Sequence, residues 1–158
     1  MFIAPFVASP IPVVRHMLEL AQLKQNENFL DMGAGDGRTV IMAAKDFGAK
    51  ATGIELREDL VQKACASIRE QGLENRATMI QSDMFSVDIR TADVIYLYLT
   101  TSANEKIKPK LETELKHGAR IVSHDYEIIG WKPQKVEDFR ENPQLGYPSH
   151  TIYVYKKQ

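Results

Sequence analysis

Apolar and polar positions follow two rhythms along this chain. Short apolar runs at residues 29–31, 51–55, 77–81, 93–99 and 119–123 read as strands. Between them, apolar residues return every three or four positions, the spacing of one helix face. Val14, Met17, Leu18 and Ala21 share such a face on a helix starting near Pro12. Val40, Ile41, Ala43 and Ala44 mark a second helix, and 58–71 a third, with Gly72 as its stop. Residues 101–116 read as a fourth, which Pro109 should kink or split. After Trp131-Lys132-Pro133 come two more candidate strands, 135–139 and 151–155, with no helix between them.

Strands alternating with helices predict βαβ units and a parallel sheet. The helix-free ending predicts an antiparallel hairpin that completes it. The expected architecture is α/β: a Rossmann-like, doubly wound, mostly parallel sheet of about seven strands. No repeat or linker divides the chain, so 1–158 reads as a single domain. Pro5, Pro10 and Pro12 forbid a regular helix at the start, which makes 1–11 an extended N-terminal flap on a core of 12–158.

The chemistry concentrates after the first strand, in Asp31-Met32-Gly33-Ala34-Gly35-Asp36-Gly37. Glycines at alternate positions let the backbone turn sharply and press against a ligand. In open α/β sheets that is where ligands bind, at the carboxyl ends of the strands. The dinucleotide pattern G-x-G-x-x-G fails, because its sixth position from Gly33 is Arg38. No Gly-Lys-Ser/Thr phosphate loop is present. Asp31 and Asp36 would repel a pyrophosphate, whereas a cationic, phosphate-free nucleoside suits them. S-adenosylmethionine, with its ammonium and sulfonium, has those charges. The alternative for the loop alone is a tight strand-to-helix turn with solvated aspartates.

Glu55 ends the second strand 18 positions after Gly37, close to the ~20-residue spacing of a ribose-binding acid. A carboxylate there can accept from both ribose hydroxyls. Asp83 follows the third strand and can accept from an adenine amino group, with Met84 and Phe85 flanking the ring. Its competing role is a helix cap, with Met84 and Phe85 in the core. On the fourth strand Tyr96 and Tyr98 share one face, and Ile95, Leu97 and Leu99 the other. Tyr98 stands nearest the carboxyl end. The next strand runs into Ser123-His124-Asp125-Tyr126-Glu127. Transfer to an amine needs a neutral nitrogen lone pair, so Asp125 or Tyr98 is a candidate to orient an amine and His124 a candidate base. Tyr98-Leu99-Thr100-Thr101 stands where enzymes acting on amides or exocyclic amines often carry Asn/Asp-Pro-Pro-Tyr, which disfavours those acceptors. His16, His117 and His150 lie apart in sequence without metal-ligand spacing, so no metal is expected. Cys65 reads as a packed mid-helix residue.

Charge and composition narrow the partners further. A net charge of −1 gives no global attraction to nucleic acid or anionic lipid. One cysteine excludes an intrachain disulfide framework and fits a reducing compartment. The start of the chain lacks a signal peptide's basic residues and long apolar run, and no segment approaches the ~20 apolar residues of a membrane span. The expectation is a cytoplasmic protein.

The Asp31–Gly37 pattern resembles the first motif of class I S-adenosylmethionine-dependent methyltransferases. Pro5-Phe6-Val7-Ala8-Ser9-Pro10, Asn104-Glu105-Lys106-Ile107-Lys108-Pro109-Lys110-Leu111 and Ser123-His124-Asp125-Tyr126-Glu127-Ile128-Ile129-Gly130-Trp131 are similar to one family within it. That family comprises the archaeal broad-specificity protein lysine methyltransferases and eukaryotic relatives that modify mitochondrial membrane proteins, ATP synthase among them. The resemblance implies an S-adenosylmethionine-dependent enzyme acting on lysine side chains of proteins. It implies cofactor contacts at Ser9, Asp31, Gly33, Gly35, Gly37, Glu55, Asp83, Met84 and Phe85, and acceptor-site roles for Tyr98 and Asp125. Ala8 and Ser9 stand where the family usually has proline and threonine, and Asp125 where it often has glutamate. The mitochondrial relatives carry an apolar membrane anchor, and the expectation is that this protein has none. Two alternatives remain at this level: a methyltransferase for small amines or hydroxyls, and a non-catalytic cofactor-binding protein.

Overall fold

All the expected strands meet in one sheet in the computed structural model, which describes residues 6–158. The strands are β1 (Asn28–Met32), β2 (Lys50–Glu55), β3 (Ala77–Gln81), β4 (Val94–Leu97), β5 (Arg120–His124), β6 (Lys135–Arg140) and β7 (Ser149–Lys156). The helices are α1 (Ile11–Leu20), α2 (Arg38–Phe47), α3 (Glu58–Glu70) and α4 (Thr101–Glu114). The strand order is β3-β2-β1-β4-β5-β7-β6. β1 to β5 pair in parallel, while β7 runs antiparallel to both β5 and β6, as the helix-free ending predicts.

This order positions the site. The chain steps from β1 outward through β2 to β3, then returns to β4 on the other side of β1. The loops leaving β1 and β4 therefore diverge, and a crevice opens beyond their carboxyl ends. β4 is buried along its whole length, as a central strand covered on both faces must be. One face packs Phe29, Tyr96 and Val122 against Val14, Met17 and Val40. The other packs Leu30, Ile95, Leu97 and Ile121 against Ile107 and Leu111 of α4. The alternation read from the fourth strand is thus realised, with Tyr98 continuing the Tyr96 side and Leu99 the Leu97 side.

Three expectations change. β4 stops at Leu97, so Tyr98 lies in the loop beyond it. Pro109 does not split α4, which runs unbroken from Thr101 to Glu114. Pro109 and Glu105, whose carbonyl loses its partner, are both exposed, so water can satisfy that oxygen. Buried Asn104, Ile107 and Leu111 hold the opposite face down. Cys65 is half-buried rather than packed in the core; its neighbour Ala64 takes the inward position.

Candidate functional site

The glycine loop turns as its sequence demands. Gly33, Gly35 and Gly37 all have positive φ, at 97°, 58° and 81°. Gly37 is the N-cap of α2, and a Cβ there would stand 2.8 Å from the Cβ of Ala64. A Cβ on Gly35 would run into the ring of Phe6, which lies across the loop. The extended segment 6–10 thus straps the glycine turn. Arg38 holds the strap: its guanidinium donates to the Ser9 carbonyl at 3.2 Å and grips Asp36 through two nitrogens, at 3.1 and 2.7 Å. Asp36 is therefore neutralised locally, and its carboxyl is held below the usual range by Arg38 against the opposing effect of burial. The part of the expected flap formed by residues 1–5 lies outside the described residues.

Asp31 is the charge left over. It is buried, and the Thr39 hydroxyl donates to it. Burial, with added repulsion from Glu55 and Asp36, pushes its carboxyl up to about 7 despite the Thr39 bond. A carboxylate so starved of solvent gains from any cation placed against it. Asp31, Gly33, Ser9 and Tyr98 line one small cavity with Phe6, Arg38, Thr39 and Tyr96. Its volume is about 20 Å³, far below the roughly 300–1,000 Å³ of ordinary ligand pockets. A space of that size admits a nucleoside only if the strap lifts. A wider cleft of about 440 Å³ runs along the flank of α2, from Asp36 of the glycine loop and Arg38 past Ile41 to Lys45 and Lys63.

Glu55 stands beside the loop. It accepts from the Gly35 N–H at 2.8 Å and, through its other oxygen, from the Arg57 N–H at 2.9 Å. Each oxygen keeps a second lone pair for a diol. Asp83 accepts from the Phe85 N–H at 2.9 Å and from the Ser86 hydroxyl at 2.8 Å, so it caps its own turn. Met84 is half-buried against the α4-side core. Phe85 is exposed rather than in the core. The ends of β1, β2 and β3 thus bring Asp31, Glu55 and Asp83 to one rim of the sheet.

The second rim, at β4 and β5, is more densely bonded than sequence reasoning foresaw. Tyr98 is half-buried, and its ring stacks on His124 at 3.9 Å between centroids. Burial, followed by the charge of Asp125, pushes the Tyr98 hydroxyl up from its ordinary value. Asp125 has a left-handed φ of 65°, and its Oδ1 accepts from the Thr151 N–H at 3.0 Å. Its other oxygen lies 3.5 Å from His124 Nε2. Ser9 is buried; it accepts from the Tyr96 hydroxyl at 2.6 Å and lies 2.8 Å from His124 Nδ1. Sequence spacing gave no reason to join His150 to this group. The β5–β7 pairing nevertheless sets His150 Nδ1 2.8 Å from His124 Nε2, with Glu141 2.8 Å further out. Donor atoms of His124, Asp125 and His150 lie within 4.8 Å of one another.

The strand order, the switch-point glycine loop and the buried acid beneath it define a class I S-adenosylmethionine-dependent methyltransferase. Residues 31–135 match the family model of the ANTKMT methyltransferase domain, and the chain belongs to that family. It is 45% identical to a protein-lysine N-methyltransferase of Saccharolobus islandicus (strain REY15A), over 96% of this chain and 92% of that one. It is 29% identical to the adenine nucleotide translocase lysine N-methyltransferase of Mus musculus, over 84% of this chain but only 57% of the relative. Among solved structures, an RNA methyltransferase from Salinibacter ruber in complex with S-adenosyl-L-homocysteine superposes with a TM-score of 0.88 at 39% identity, covering 95% of this chain and 93% of the other. Among the described residues, no helix is long and apolar enough to cross a membrane.

Proposed function

We propose that this enzyme transfers the methyl group of S-adenosylmethionine to lysine ε-amines of proteins. The observation that carries it is the 45% identity, along nearly the whole of both chains, to a protein-lysine N-methyltransferase. The cofactor supplies a methyl group on a sulfonium. Asp31 pairs with its ammonium, the faces of Gly33 and Gly35 admit its methionine end, and Gly37 serves through its left-handed turn, its own face being packed on Ala64. Glu55 accepts from the ribose hydroxyls. Asp83 meets the adenine edge, with Met84 and Phe85 beside the ring. Ser9 and the 6–10 strap close over the site, as the mobile cover of a single domain spanning 1–158.

Tyr98 and Asp125 take the acceptor. A lysine arrives as an ammonium, and the Asp125 carboxylate, about one third exposed, attracts it. Tyr98 faces it with an aromatic ring, which favours a cation. The ammonium must lose a proton before its lone pair can attack. The nitrogen then forms a bond to the methyl carbon as the carbon–sulfur bond breaks, and that bond's electron pair stays on sulfur. Holding the partners in line supplies most of the rate. A cytoplasmic site of action fits the single half-buried cysteine.

The Salinibacter relative favours a second reading, with RNA as acceptor. The net charge of −1 supplies no global attraction to a polyanion, and the higher identity is to the lysine methyltransferase. Incubation of cell extract with methyl-labelled S-adenosylmethionine separates the two. Label removed by protease and retained after ribonuclease is the expected result; label removed by ribonuclease alone contradicts the proposal.

A further inference from the structure

Five polar groups form an unbroken line from beneath the strap to the molecular surface. The Tyr96 hydroxyl donates to Ser9 Oγ at 2.6 Å, and Ser9 Oγ lies 2.8 Å from His124 Nδ1. His124 Nε2 lies 2.8 Å from His150 Nδ1, and His150 Nε2 lies 2.8 Å from Glu141 Oε2. One end opens on the cavity shared by Ser9, Asp31, Tyr96 and Tyr98. The other end reaches solvent, where the side chains of His150 and Glu141 are 11% and 25% exposed. His124 itself is fully buried.

Hydrogen-bond accounting fixes the direction of the line. An ionised Glu141 only accepts, so His150 Nε2 carries a hydrogen. With one proton per ring, His150 Nδ1 accepts, which puts the His124 proton on Nε2. His124 Nδ1 is then an acceptor, and the Ser9 hydroxyl donates to it. Every donor points outward. A bridging metal suits this spacing less well. Two imidazoles bound at ~2.0–2.1 Å in a tetrahedral site hold their nitrogens about 3.3 Å apart, whereas 2.8 Å is the separation of a shared proton.

We propose that Ser9, His124, His150 and Glu141 form a proton relay that carries the lysine ammonium proton out of the closed site. This rests on the lysine acceptor proposed above. Methyl transfer to an ammonium releases one proton overall, and a strap shut over the site denies that proton a direct path to water. The ammonium N–H bond breaks as its proton passes to Ser9 Oγ and the Ser9 proton passes to His124 Nδ1. His124 gives its Nε2 proton to His150 Nδ1, and His150 gives its own to Glu141, which releases it to water. The freed lone pair on the lysine nitrogen then accepts the methyl group. Once the strap lifts and water reaches Ser9, one proton entering at Glu141 and one leaving from Ser9 run the ring shifts backwards, which puts a proton on each Nε2 and resets the line.

The groups facing the relay are consistent with a conduit that passes a proton without keeping it. Ser9 and Tyr96 meet His124 from the strap and β4, Tyr98 stacks on its face, Asp125 adjoins it, and His150 and Glu141 lie beyond. Arg38 stands behind Ser9, bonded to its carbonyl. Burial outweighs the nearby carboxylates and lowers the His124 imidazole to about 4. His150 and Glu141 are relay residues that need not touch substrate, so their test needs a readout that a merely structural role would not move.

Glu141→Gln and His150→Gln keep hydrogen-bonding capacity while removing proton acceptance. Their kcat on a flexible lysine-containing peptide, measured from pH 7 to near pH 10 at saturating cofactor, is the test. The relay predicts a loss of about tenfold or more at pH 7. It also predicts recovery to within about twofold near pH 10, where free lysine amines lose their proton unaided. Cofactor affinity should be unchanged. A loss that is constant across pH, or no loss in either variant, overturns the relay. So does activity that a chelator abolishes and added zinc restores. If the unaltered protein methylates no lysine at any pH, the lysine reading fails, and the relay fails with it.

Discussion

At the scale of single residues, Asp31 carries the clearest consequence. Its carboxyl is raised to about 7 by burial. The folded state therefore holds a proton that the unfolded state has already released between the ordinary carboxylate value near 4 and about 7. Stability from this group is fully present below that window and lost as pH rises through it. Thermal unfolding of Asp31→Asn should show a flatter pH dependence across the same window and a higher midpoint at pH 7.5. The same substitution should weaken S-adenosylmethionine binding about 10- to 100-fold by calorimetry, the scale of a lost charge-assisted bond of roughly 1.5–3 kcal/mol. In the unaltered protein, affinity should rise as pH climbs through 7. Asp31 was legible because its charge and the glycines after it are contiguous in sequence. Asp36 was only half legible, since Arg38 neutralises it and nothing in a linear pattern announces that pairing. His150 and Glu141 were not legible. Their link to His124 depends on how β6 and β7 register against β5, and register is set by tertiary packing.

Among elements, the strap over the glycine loop governs access. Residues 6–10 run without regular structure before α1, fixed by the Arg38 bond to Ser9 and by Ser9's own partners. Phe6 lies on Gly35, where a ligand must pass. A cover that shuts on the bound cofactor slows its release more than its entry. Deleting residues 1–10 should therefore weaken S-adenosylmethionine binding by about tenfold or more, chiefly through faster release in stopped-flow measurements. Unchanged affinity and release would remove the strap from the account. The prolines and Ser9 made this segment legible as an extended flap over the site, but its anchoring by Arg38, Tyr96 and His124 was not. The reverse holds for α4, where a rule about proline predicted a break. Exposure of Pro109 and Glu105, with Ile107 and Leu111 buried opposite, let one helix survive it.

For the whole molecule, the strand order opens a crevice at the β1–β4 switch point, and the chain's rhythm of strands and helices made that order legible. The antiparallel insertion of β7 between β5 and β6 has a second effect: it brings His150 against the end of β5, the contact on which the proposed relay depends. One rim of the sheet thus suits a cationic cofactor and the other an amine that must shed a proton. Lysine methyltransferases and an RNA methyltransferase all resemble this chain, and the higher identity, 45% against 39%, favours the lysine acceptor that a direct assay must test. The most direct measurement is tandem mass spectrometry of an unstructured, lysine-containing protein after incubation with the enzyme and S-adenosylmethionine. The account predicts methyl groups on lysine ε-nitrogens, strongly reduced with Asp125→Asn. Methylation confined to added RNA or to small metabolites, with every lysine unmodified, would contradict it.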